Sequence, residues 1–65
     1  MKTYFIGYYA NNNKNLFRVM AQTKSELVAD YIARNYNQDY EAIKMTLRLC
    51  VINKADLKCK YNFVD

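Results

Sequence analysis

The 65-residue chain has no histidine, a single glycine and two cysteines, and each scarcity removes a class of chemistry. Without histidine the commonest general base at neutral pH is missing. The carboxylates Glu26, Asp30, Asp39, Glu41 and Asp56 fall on a helix surface and in or beside loops, where no cleft is expected to hold two of them at working distance. Gly7 alone cannot build a glycine-rich phosphate loop. Cys50 and Cys59 have no histidine to activate them and supply no zinc ligand set between them. The expectation is a protein that is not an enzyme and holds no cofactor and no metal.

Long apolar runs are also missing. Lys2 is followed by TYFIGYYA, which Asn11 to Asn13 interrupt before it reaches the length of a signal peptide, and nothing else is long enough to span a bilayer. The one clear helix is not cationic on its polar face, which counts against a membrane-surface role. Two reduced cysteines fit the same picture, so the expected location is cytoplasmic with no membrane partner.

What is present suits a small folded unit. The residues are 52% hydrophobic, 15% aromatic and 25% charged, a globular balance, and seven of them are tyrosines, which combine an apolar body with a polar tip. A chain of this size buries only roughly 60% of its unfolded surface, enough for one core and no deep cleft. Residues 1–65 are read as a single small α+β domain.

Thr23 to Tyr36, TKSELVADYIARNY, carries the helical signature. Thr23 and Glu26 match an S/T-x-x-E capping box, which starts the helix at Lys24. Leu27, Val28, Tyr31, Ile32 and Tyr36 form the expected buried face, and the polar run from Asn35 to Asp39 predicts a stop near Asn37. Thr3 to Ala10 reads as a strand with Ile6 inward and Phe5 and Tyr9 on the outer face around Gly7. Asn11 to Asn15 is the hairpin loop, and Leu16 to Gln22 is the second strand. Phe17, Val19 and Ala21 point one way on it, with Leu16, Arg18, Met20 and Gln22 on the other side. Glu41 to Asn53 alternates cleanly, with Ile43, Met45, Leu47, Leu49 and Val51 on one side, and predicts a long half-buried strand. A three-residue loop, Asn53-Lys54-Ala55, then sets Val51 opposite Leu57, Leu49 opposite Cys59 and Leu47 opposite Tyr61 in a second hairpin.

The predicted fold is α+β, a two-layer ββαββ arrangement with a four-stranded, mainly antiparallel sheet and one helix packed on one face. The other face is expected to be bare. On it fall Phe5, Tyr9, Arg18, Met20, Lys44, Arg48, Lys58 and Lys60, the candidate partner-binding residues, with Thr46 among them. Charge supports that placement, because the net charge of +4 is concentrated outside the helix: residues 1–22 carry +3, residues 23–41 carry −2 and residues 42–64 carry +4, with Asp65 making up the total.

Two partners fit a basic and aromatic sheet face: a protein with an acidic surface, docked on the face or on an edge strand, or DNA or RNA, whose backbone the cations would track while rings stack on bases. Self-pairing into a homodimer through exposed aromatics or sheet edges is a further expectation for so small a unit. In layout the chain resembles the amino-terminal DNA-binding arms of some phage integrases, on no shared motif. Its wealth of Asn, Lys, Tyr, Ile and Phe, all A/T-rich in coding, is similar in texture to small phage proteins. That resemblance implies a non-catalytic inhibitor or modulator of a host or defence protein complex.

Overall fold

A computed structural model describes residues 2–10 and 15–64. Strands β1 (Tyr4–Tyr9) and β2 (Leu16–Thr23) are followed by helix α1 (Glu26–Ala42), strand β3 (Cys50–Asn53), a 3-10 turn (Lys54–Asp56) and strand β4 (Lys60–Phe63). The sheet order is β3-β1-β2-β4, with β1 antiparallel to both β2 and β3 and β4 parallel to β2. This is the expected ββαββ α+β arrangement, a mostly antiparallel four-stranded sheet with α1 packed against it. Of the expected loop Asn11 to Asn15, residues 11–14 lie outside the described residues and Asn15 is a turn residue before β2.

The second hairpin does not form. β3 pairs with β1, and the six residues after it cross to the far edge, where β4 lies beside β2. Three strand spacings of about 4.8 Å separate the two edges, within reach of a 3-10 turn at Lys54–Asp56 followed by three further residues. Leu57 and Cys59 pack on Phe5, Phe17 and Val19 as the chain crosses, so the face expected to be bare is partly covered and holds its own apolar cluster. The chain moves one way across the sheet through α1 and the other way through this connector, on opposite faces. The two crossovers therefore share one hand, as the chirality of connected parallel strands demands.

Ile6 faces the helix and is fully buried with Tyr4, Ala29, Ala33 and Leu49, while Phe5 and Tyr9 face away, as the alternation of β1 predicts. On β2 the alternation breaks. Ile6 opposes Ala21 and Gly7 opposes Val19, so Met20 is an extra residue in a β-bulge, and Met20 and Ala21 both pack on the helix side. Gly7 sits at this bulge because a Cβ there would overlap the Arg18 carbonyl.

The helix differs from expectation at both ends and in its buried face. Thr23 is the last residue of β2, paired with Tyr4, so the cap falls to Ser25, whose hydroxyl accepts from the Val28 N–H at 3.3 Å. Past Asn37 the helix runs five more residues and closes at Lys44, whose φ of 61° lets the Met45 N–H reach the Tyr40 carbonyl and its own N–H reach Glu41. That closure takes up Ile43 and Met45, both exposed, and shortens the long predicted strand to Cys50–Asn53. Ala29 and Ala33 are the buried helix residues, whereas Leu27 and Tyr31 are 82% and 64% exposed. Small side chains let the helix lie close to the sheet; of the predicted face Ile32 packs on the core, while Leu27, Val28, Tyr31 and Tyr36 are turned to solvent.

Candidate functional site

The predicted face is dispersed by this topology. Phe5 is 1% exposed, and Tyr9 is half-buried edge-on against Phe17, with ring centroids 5.1 Å apart. Burial raises the Tyr9 hydroxyl above its ordinary pKa, with smaller contributions from Cys59 and Cys50. Arg18 opposes Tyr8 on the helix side, where its Nε is buried without a hydrogen-bond partner among the described residues. Met20 lies under the helix, its sulfur accepting from the Tyr40 hydroxyl at 3.8 Å. Lys44 is in the turn after α1, Thr46 is exposed in the segment that follows, and Arg48 borders the groove between α1 and β3. Of the predicted set, only Lys58 and Lys60 remain together, exposed at β4 and on the connector before it.

Exposed rings stand on α1, at Tyr31 and Tyr36, and on β4, where they form a pair. Tyr61 and Phe63 face away from the helix, 39% and 53% exposed, in an edge-to-face pair with centroids 6.1 Å apart. Both lean over β2 onto Phe5, at 4.9 Å for Tyr61 and 5.9 Å for Phe63. Phe5 is therefore the floor of the ring cluster. Lys54, on the 3-10 turn, brings its ammonium 6.0 Å from the Phe5 and Tyr61 centroids, within cation–π range. Lys60 and Asn62 lie on the opposite side of the strand, in register with Leu16 and Arg18.

The main chain of β4 is open along one side. The Val64 N–H donates to the Val19 carbonyl at 2.8 Å, so in this parallel ladder Asn62 and Val64 turn their peptide groups toward β2. Tyr61 and Phe63 turn theirs to the outer edge. An added strand would find donors and acceptors at these two residues, rings on one side and Lys60 on the other. Sequence reasoning placed Tyr61 and Phe63 inward because their alternation matches Leu57 and Cys59. The alternation is real, but the face it marks is the one opposite the helix.

No three His, Cys, Asp or Glu side chains gather among the described residues, and both cysteines are free thiols. No helix among those residues is long and apolar enough to cross a membrane. No family model matches the chain, and no curated protein and no solved structure is similar to it.

Proposed function

We propose that the protein is a small non-enzymatic binding module that docks the β4 edge on a protein partner with an acidic surface and so inhibits or modulates that partner's complex. The observation that carries this reading is the pair of exposed rings, Tyr61 and Phe63, on a strand whose main chain is unpaired on its outer side among the described residues. Edge strands that native proteins leave idle are kept short or blunted by charge, proline or a bulge, and β4 is short and begins with Lys60. Here the two residues that present main-chain groups outward are both aromatic. Strand addition supplies main-chain hydrogen bonds, the rings serve as anchors, and Lys54, Lys58 and Lys60 select acidic neighbours. The texture shared with small phage proteins agrees with an inhibitor of a host or defence complex.

Nucleic acid is the second reading, favoured by the same lysines beside exposed rings. The nearly perpendicular rings, at 87°, support the protein reading, because neighbouring bases stack on rings of similar orientation. Capture from nuclease-treated and untreated lysate, with wild type and a Tyr61→Ser/Phe63→Ser variant, separates the two. A stoichiometric protein that survives nuclease and is lost with the variant is the expected result. Recovery of nucleic acid alone, falling steeply with salt, overturns it.

A further inference from the structure

The other edge of the sheet is open as well among the described residues, and one end of it is acidic. The Lys54 N–H donates to the Thr3 carbonyl at 2.8 Å, which continues the antiparallel register of Tyr4 with Asn53 and Ile6 with Val51. In such a ladder hydrogen-bonded and non-hydrogen-bonded pairs alternate. Cys50 and Ile52 thus turn their peptide groups to β1, and Leu49, Val51 and Asn53 turn theirs outward. The Leu49 groups are already occupied by the Asn37 side chain, which takes the place a neighbouring strand would have. Val51 and Asn53 are left.

Helix α1 forms a wall beside this edge. Between them runs an open groove of about 510 Å³, bordered by Asp30 and Glu41 and by the cations Arg34 and Arg48, with Asn37 and Val51, so its charge is balanced and the acidic excess lies in the recess beside it. This recess, of about 320 Å³, is lined by Glu26, Asp30 and Asp56 against the single cation Lys2, with Val51 and Asn53 at its base. Burial first, then Glu26 and Asp56, raises the Tyr4 hydroxyl on the same lining. Residues of an added strand in register with Val51 and Asn53 share their face of the sheet, whether the strand runs parallel or antiparallel. They would therefore stand beside Asp30 and Glu26. The residue between them falls on the opposite face, beside Ile52, which packs with the Phe5 cluster.

We infer that the β3 edge is a second docking site, which takes an extended segment of a partner protein with the pattern basic–apolar–basic. The two cations pair with Asp30 and Glu26, the apolar residue covers Ile52, and Asn37 ends the added strand at Leu49. This site is distinct from the β4 edge and recognises the opposite charge.

A synthetic peptide, acetyl-Thr-Lys-Val-Lys-Thr-amide, tests it against two controls: the same peptide with Glu for both Lys, and the Lys peptide with N-methylated main-chain amides. Amide chemical shifts of the intact protein are followed in each titration. The Lys peptide is expected to shift the Val51 and Asn53 amides saturably and to bind at least tenfold tighter than the Glu peptide, with N-methylation abolishing binding. In the Glu26→Lys/Asp30→Lys variant the preference reverses. Equal binding of the N-methylated peptide reduces the site to ion pairing and overturns the inference. So does equal binding of the Lys and Glu peptides, or a response away from β3. None of these results bears on Tyr61 and Phe63, so the β4 reading stands or falls separately.

Discussion

Asn37, in the middle of α1, holds both main-chain groups of Leu49: its Oδ1 accepts from the Leu49 N–H at 2.7 Å and its Nδ2 donates to the Leu49 carbonyl at 3.1 Å. The contact ties the helix to the segment that enters β3, and Leu49 is a core residue only 5% exposed. Asn37→Ala removes both bonds and leaves the peptide groups partly buried, at a cost of roughly 1–3 kcal/mol. Asn37→Asp keeps the acceptor but sets a carboxylate against the Leu49 carbonyl, and should cost at least as much. Urea unfolding reads both, and a loss below about 0.5 kcal/mol for Asn37→Ala would place it among ordinary surface changes.

The two sides of the helix should respond oppositely to the same kind of change. Ala33→Leu forces added volume between helix and sheet and is expected to cost about 1–3 kcal/mol, or more if the helix must lift. Leu27→Ser changes a side chain that is 82% exposed and should stay within about 0.5 kcal/mol. Thermal melts of the pair test the helix orientation, and the reverse order of effects would rotate the helix back to the face its bulky residues suggest.

Alkaline pH should lower the stability of the protein. Tyr4, Tyr9 and Tyr40 all have hydroxyls raised above the ordinary value of 10.0, in each case chiefly by burial. Their folded pKa values exceed their unfolded ones, so the stability they contribute is complete below pH 10.0 and is lost as pH rises through the folded values. Circular dichroism melts across that range, followed beside tyrosinate absorbance, should show stability falling as the last tyrosines ionise. Melting that stays unchanged while Tyr4, Tyr9 and Tyr40 ionise would contradict the burial assigned to these three.

The element order, the single helix and the inward side of β1 are legible in the sequence, because period and alternation are local properties and Ile6 is the one aliphatic residue of its strand. The buried side of the helix is not. Ala29 and Ala33 contribute little to an apolar count, yet their small size is what admits close packing against the sheet. Strand partnership is illegible for a different reason: Leu57, Cys59, Tyr61 and Phe63 share a face whether β4 turns back on β3 or crosses to β2. The exposure of Lys58 and Lys60 follows from charge alone. The exposure of Tyr61 and Phe63 is not legible because it depends on β4 being an edge, and Phe5, on the expected face, is buried because part of its cover comes from a strand two positions away.

The central claim is that a partner strand adds to the outer side of β4, and amide hydrogen exchange tests it residue by residue. In the free protein Val64 and Asn62, turned toward β2, should exchange slowly, and Tyr61 and Phe63 quickly. With the captured partner bound, Tyr61 and Phe63 should gain at least tenfold protection while Asn62 and Val64 change little. If the partner protects other segments and leaves the Tyr61 and Phe63 amides exchanging as before, β4 is not the docking strand and the proposed function is wrong.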